Sequence, residues 1–460
     1  MSSWPARSDG DIPATSAEAQ APEPSAVAVV AGDVPVEGGV GGGAVVLGLV
    51  VEEPAVGLVA VDVPGWGGPD GEGPDGDGAD GDGPVEHAPR SRIAAVATAI
   101  MAPDRRPGSR VVGVSGTGRP YLLDLWRYVD RVPPTARPVV LDVDTGVDDA
   151  CALLLAATHP ALDLRAVTCV GGNAPVDAVV RNTLTVLQAA ARSDVPVARG
   201  ADRPLLEHPT DARHVHGEDG MGDLGWPAPT LRPDPRHAVE LLRDTCVAAA
   251  DAGEKVTLVP TAPLTNIALL LRTYPAAARG IAEIVFMGGA AQSGNATASA
   301  EFNIFHDPEA AAIALDAAAE LAIPVTMYGL DVFYDPVVTG ADAAELVAVG
   351  GRGAAELGGR LIQFQCERFG RDAATVGDAG AVCAVLDPDG LTTQVLPIRI
   401  ELAGHWSRGR TIVDRRDWSG DLSHDPHGEP PVRVRVALGV DHERYSALWR
   451  DTILSAAGTR

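Results

Sequence analysis

The sequence predicts an α/β protein built on an open, mostly parallel sheet with helices on both faces, preceded by a disordered amino-terminal extension. Three observations carry that expectation. Beyond residue 137, strand-like and helix-like runs alternate, as repeated βαβ units require. Residues 1–90 instead carry sixteen acidic side chains against two arginines, Arg7 and Arg90, with a low-complexity Gly, Pro and Asp stretch over 67–84. Such a segment cannot bury enough apolar surface to fold. Finally, residues 139–150 pass from an apolar strand through four aspartates into an apolar helix. Acids at the carboxyl end of a parallel strand stand where α/β enzymes build their sites.

The elements follow in order. Residues 1–92 read as the extension and 93–135 as a transition with a helix suggested at 121–129, leaving 136–460 as one folded domain. Within it, the apolar run at 138–143 predicts a strand and the Ala/Leu run at 148–158 a helix. A strand at 164–170, a helix at 175–191 and a short strand at 195–198 follow. The pattern then gives a helix at 237–250, a strand at 256–259, a helix at 264–271 and a strand at 284–287. Next come a Pro-initiated helix at 308–320 and a strand at 324–327. Strands at 396–402 and 432–438 and a helix at 442–454 complete the domain.

Composition excludes several classes. The net charge is −26 and Lys255 is the only lysine, so no basic stripe exists to hold phosphates and a nucleic-acid partner is not expected. The five cysteines form no CxxC pair, which argues against a thiolate zinc site and for buried, reduced thiols. Acids and prolines occupy 1–21 where a secretion signal needs a basic start and an apolar core. The apolar stretch 43–61 is interrupted by Glu52, Glu53 and Pro54, too short a run to span a bilayer. A soluble, cytoplasmic protein is expected.

Chemistry concentrates at the ends of predicted strands. Asp142, Asp144, Asp148 and Asp149 repel one another unless a cation or substrate hydroxyls compensate them. Oxygen-only ligands favour Ca²⁺ or Mg²⁺ over zinc. Asp148 and Asp149 also open a helix, where a carboxylate can simply cap amides, but that does not account for Asp142 and Asp144. Gly171-Gly172-Asn173 ends the next strand and by itself reads as a tight turn. At Pro260-Thr261 a strand end offers a backbone carbonyl. Asn295, Glu301 and Asn303 share one loop, a set suited to several sugar hydroxyls. Asp378 precedes an apolar helix, where capping competes with ligation.

Together these segments resemble the inosine–uridine nucleoside hydrolase family, over about residues 137–458. The carrying motifs are Asp142-Val143-Asp144-Thr145-Gly146-Val147-Asp148-Asp149-Ala150, Gly172-Asn173, His216-Gly217-Glu218-Asp219-Gly220, Val259-Pro260-Thr261, Gly288-Gly289, Gly294-Asn295, Glu301-Phe302-Asn303 and Asp307-Pro308-Glu309. The resemblance implies a Rossmann-like fold, a dimer or tetramer, and Ca²⁺-dependent cleavage of the N-glycosidic bond of ribonucleosides. It assigns Asp144, Asp149, the Thr261 carbonyl and Asp378 to the metal, with Asp144 also the general base for the attacking water. It gives Asp148, Asn173 and Asn303 to the ribose diol, and Asn295 with Glu301 to the 5′-hydroxyl.

One departure stands out. Well-known members carry a His just before the last Asp ligand as acid for the departing base, and here that position is Gly377. His216 and His306 are the candidate substitutes, and each could equally be an ordinary polar residue. Stacking of the base on Trp226, Phe302 or Phe369 is a further route. Two other functions compete. A phosphohydrolase using Asp142 as nucleophile needs Asp-x-Asp-Gly-Thr, whereas here Thr145 precedes Gly146. A ribose- or nucleoside-binding protein that has lost turnover through Gly377 would leave Asp144 and the ligand set without a task.

Overall fold

The computed structural model describes residues 136–416 and 431–456, together with the backbone of five strands nearer the amino terminus. The chain divides into two units, 1–133 and 134–460. In the first, β1 (Val27–Asp33), β2 (Ala44–Leu49), β3 (Gly57–Asp62), β4 (Val111–Val114) and β5 (Pro120–Leu123) pair in the order β3-β2-β1-β4-β5. β5 takes the positions where the sequence suggested the start of a helix. The rest of that helix, and most of the extension over 1–92 including 67–84, lie outside the described residues.

The second unit opens with β6 (Arg137–Val143), α1 (Val147–Thr158), β7 (Leu162–Cys169), α2 (Val176–Ala189) and β8 (Val197–Arg199). After the short α3 (Arg213–His216) come α4 (Ala238–Asp251), β9 (Val256–Pro260), α5 (Thr265–Thr273) and β10 (Ile281–Met287). Then follow α6 (Phe302–His306), α7 (Pro308–Glu320), β11 (Val325–Tyr328) and α8 (Leu330–Phe333). β12 (Val337–Thr339), α9 (Gly340–Val349), α10 (Ala354–Phe369), β13 (Ala373–Thr375) and α11 (Ala379–Leu386) come next. β14 (Leu391–Ile400), β15 (Thr411–Val413), β16 (Val432–Val440) and α12 (His442–Ser455) end the unit.

Nine strands form one sheet in the order β15-β14-β16-β11-β10-β9-β6-β7-β8. Every pairing from β16 to β8 is parallel, and β14 adds antiparallel to β16 and β15. The strand order explains where the site falls. From β6 the chain moves outward through β7 to β8, then returns to the other side of β6 as β9. The carboxyl ends of β6 and β9 therefore flank the switch point, where an open α/β sheet leaves a crevice.

Strand alternation assigns the layers. Val139, Leu141 and Val143 of β6 pack into one core with α1, α2, α10, α11 and α12, while Val140 packs into the other with α4, α5 and α7. The carboxyl-terminal helix is fixed to the first by a fully buried Trp449, whose indole N–H donates to the Cys151 carbonyl at 3.0 Å. Close packing also explains Gly358-Gly359 inside α10. A Cβ at Gly359 would lie 2.6 Å from the Ala343 carbonyl oxygen, so glycine lets α9 and α10 approach.

Candidate active site

The Asp cluster is built by the turn from β6 into α1. Asp142 still belongs to the strand and faces the α5 side, where its Oδ1 accepts from Thr168 (2.6 Å) and Asn266 (2.8 Å). Its other oxygen is buried without a hydrogen-bond partner, and burial pushes the carboxyl up to about 7. Asp144 leaves the strand end and accepts both the backbone N–H (2.7 Å) and the side-chain Nδ2 (3.1 Å) of Asn173. Asp149 closes the helix start: its Oδ2 accepts from the Gly146 N–H at 2.9 Å, and its Oδ1 from the Thr261 hydroxyl at 2.7 Å, while Asp148 Oδ1 accepts the Asp149 N–H at 3.3 Å. The short Gly146 makes this crowding possible, since a Cβ there would strike His216 and Asn173 within 2.9 Å.

Three carboxylates, Asp148, Asp149 and Asp378, bring oxygens within 4.8 Å of one another. Burial raises the pKa of all three, and their mutual repulsion adds to it for Asp149 and Asp378. Asp144 is likewise raised, by burial first and by Asp149 second, and it hydrogen-bonds the Asp149 side chain. Buried like charges with no counter-ion among the described residues, in an all-oxygen set, fit a hard divalent cation. The converging trio includes Asp148, which the sequence assigned to ribose. Asp144, which it assigned to the metal, stands one hydrogen bond away through Asp149. The Thr261 carbonyl accepts from Asn303 Nδ2 at 2.9 Å.

A cavity of about 820 Å³ opens over this cluster, and Asp148, Asn173, Thr261, Asn295, Glu301, Asn303 and Asp378 all line it. Glu301 caps α6, accepting from the N–H groups of Gly289 (2.8 Å), Asn303 (2.8 Å) and Ile304 (3.2 Å), and burial lifts it to about 7. Asn295 is exposed and steadies the same turn, its Oδ1 accepting from the Phe302 N–H at 2.9 Å. One end of the cavity is thus lined by acids and amides at the strand ends. The other is formed by Thr210–Ala212, His214–His216, Phe305, Phe333, Tyr334 and the end of α10.

The two candidate histidines part company. His216 lines the cavity; its Nδ1 accepts from the Val147 N–H at 3.2 Å and lies 3.7 Å from Asp148, and burial lowers its pKa to about 4. It is a neutral imidazole whose remaining proton sits on Nε2. His306 does not reach the cavity. The single turn of α6 directs it to Thr210, with Nδ1 3.2 Å from the hydroxyl, and burial holds it neutral with a pKa of about 4. Of the three aromatic candidates, Phe302 and Phe369 line the cavity, while Trp226 packs against the α1 core instead. Gly377 explains its own identity. Its φ is +55°, and a Cβ would lie 2.6 Å from the Asp148 Cβ and 3.0 Å from Phe333, so no side chain enters from there.

Sequence reasoning missed Tyr334, Gln365 and Arg371, all of which line the cavity. None belongs to a motif. Gln365 and Phe369 are four apart on α10 and so share a face, a spacing legible only once that helix is recognised.

A parallel sheet with a converging carboxylate trio and an Asn/Glu loop around a cavity at its switch point defines an α/β protein with a candidate cation and polyol site. The chain belongs to the inosine-uridine preferring nucleoside hydrolase family, whose model matches residues 139–447, and by that membership it is an N-glycosyl hydrolase. It is 40% identical over 290 residues to the pyrimidine-specific ribonucleoside hydrolase RihA of Enterobacter sp. (strain 638), covering 62% of this chain and 90% of that protein. It is 36% identical over 322 residues to the inosine-uridine preferring nucleoside hydrolase of Leishmania major, covering 69% of this chain and 97% of that one. Among solved structures, the purine-preferring ribonucleoside hydrolase from Gardnerella vaginalis superposes with a TM-score of 0.62 at 28% identity, covering 70% of this chain and 100% of that one.

Proposed function

We propose that this chain hydrolyses the N-glycosidic bond of ribonucleosides with a bound Ca²⁺, releasing ribose and a free base for nucleoside salvage. The observation that carries the proposal is the convergence of Asp148, Asp149 and Asp378 beside Asp144, with Asp148 and Asp378 lining a cavity whose far end is aromatic and Asp144 and Asp149 buried just behind them. Asp149 and Asp378, with Asp144, Asp148 and the Thr261 carbonyl around them, would hold the ion. Once bound, calcium would acidify a water and orient vicinal hydroxyls.

The chain's own groups do the rest. Asp144 accepts the proton of the water that attacks C1′, and Asn173 aims it through two hydrogen bonds. Asp148, Asn173 and Asn303 bind the diol side of the ribose, and Asn295 with Glu301 the 5′-hydroxyl. The ring of carboxylates stabilises the positive charge that develops on the sugar as the C1′–N bond lengthens. His216 leaves Nε2–H to donate toward the departing base.

We place the protein in the cytoplasm as a homodimer or homotetramer. The five cysteines are all free, as a reducing compartment requires, and no described helix is long and apolar enough to cross a membrane. The test is reducing-sugar release from inosine, adenosine, uridine and cytidine by wild type beside Asp144→Ala. We expect release by wild type and a fall of on the order of 10³-fold in the variant, the scale of a lost general base. No release from any of the four with calcium present would favour a binding protein.

A further inference from the structure

The geometry points to Arg371 as the group that receives the negative charge of the departing base, a role that rests on the hydrolase activity proposed above. When the C1′–N bond breaks, its electron pair passes to the ring nitrogen, and the water oxygen forms the new bond to C1′ as Asp144 takes the water's proton. A base not protonated in that step leaves as an anion, with the charge spread onto its carbonyl oxygens, and takes its proton later from solvent. Something at the base end of the cavity must meet that charge.

The obvious sources are closed. Gly377 has no side chain, and its left-handed backbone and the neighbouring Asp148 leave no space for one. His216 commits Nδ1 as an acceptor to the Val147 N–H of α1, so it has a single Nε2–H donor to offer the base and no positive charge to meet an anion. Of the other ionisable groups around the cavity, Asp148, Asp211, Glu301 and Asp378 are acids that repel an anion, and His214 and Tyr334 carry no permanent positive charge. Arg371 is the one guanidinium or ammonium among the described residues that line it.

Its placement is built rather than incidental. α10 ends at Gly370 with φ +61°, and the Arg371 N–H returns to the Cys366 carbonyl at 2.9 Å, closing the helix and fixing where the side chain begins. The guanidinium makes no hydrogen bond or ion pair with any described residue, yet it acts electrostatically on Tyr334, which hydrogen-bonds Asn295. On the same helix end, Gln365 also lines the cavity, and its Nε2 is buried without a partner. The exposed Arg371 guanidinium and the buried Gln365 amide give this part of the lining two donors that an acceptor-rich ligand would meet. Uracil and hypoxanthine, with carbonyl oxygens conjugated to the glycosidic nitrogen, have that chemistry.

The test compares uridine with 4-nitrophenyl β-ribofuranoside, whose phenolate departs without help, in wild type, Arg371→Gln and Arg371→Lys. Arg371→Gln is expected to lower kcat on uridine on the order of 100-fold, the scale of one lost transition-state donor. It should leave the nitrophenyl riboside nearly unchanged. Added guanidinium ion should restore part of the uridine rate, and Arg371→Lys should retain most of it. Equal losses on both substrates, or no loss on uridine, overturn the assignment while leaving the hydrolase intact. A wild type that releases ribose from neither substrate overturns both.

Discussion

The two ends of the cavity are made differently. The end we propose for ribose is assembled from strand termini and the turns that follow them, and several of its carboxylates are held by neighbours: Asp144 by Asn173, Asp149 by Gly146 and Thr261, Glu301 by three amides. The end we propose for the base comes from a loop, a one-turn helix and the Gly370-capped end of α10, with a half-exposed Tyr334 and Phe369 and an exposed Arg371. The first region is held in place by these bonds, as the proposed site for one invariant sugar would be. The second keeps unsatisfied donors and exposed rings, which a base can complete. The relatives fit this division, since their names give pyrimidine-specific, inosine-uridine preferring and purine-preferring enzymes on one fold.

The largest effect should come from the ribose end. Asp378→Asn removes one of three converging carboxylates, and activity is expected to fall at least 10³-fold for every nucleoside, in line with loss of a metal-assisted step. Calorimetric titration should show weakened Ca²⁺ binding in the same variant. Retained calcium affinity with lost activity would move Asp378 from ligand to another role.

A second way to break the comparison is Gly377→Ala. The added methyl meets Asp148 in a backbone region that L residues disfavour, at a cost of about 1–3 kcal/mol in stability. A melting curve and uridine kinetics should show both a lower Tm and a reduced kcat as Asp148 moves. Full activity with unchanged stability would mean that the turn relaxes freely.

The third prediction concerns pH. Burial lifts Asp142 and Glu301 to about 7, above the usual carboxylate range, so the folded chain binds protons more tightly than the unfolded one. Their contribution to stability is therefore intact below about pH 4 and is lost as the pH rises through about 7. Chelator-treated protein should melt at a lower temperature at about pH 8 than at about pH 5, because ionised carboxylates then crowd without a cation. Added calcium should raise Tm more at the higher pH, which scanning fluorimetry reads directly. The smallest effect should come from Phe369→Ala, which removes a half-exposed ring from the base end and is expected to cost about 1 kcal/mol of stacking.

The same division explains what could be read from the sequence. The parallel core and most of its helices were legible from their apolar runs, and the residues proposed for metal and ribose could be picked out because each stands in a polar motif beside such a run. Asp142–Asp149, Asn173, Thr261 and Glu301–Asn303 are such cases. α10 was not legible. Gly358 and Gly359 interrupt its propensity, and the reason for them, contact with α9 and α12, exists only in three dimensions. With that helix went Gln365 and Arg371. His306 was singled out for its closeness in sequence to Glu301–Asn303, which says nothing of the single turn that directs it to Thr210.

The most direct test of this division is kcat/KM for uridine and inosine in Asp144→Asn and Phe369→Ala. The account predicts that Asp144→Asn lowers both by about the same large factor, so their ratio holds. Phe369→Ala should shift that ratio several-fold, as about 1 kcal/mol of unequal stacking would. An Asp144→Asn enzyme that changes its base preference, beside a Phe369→Ala enzyme that does not, would contradict it.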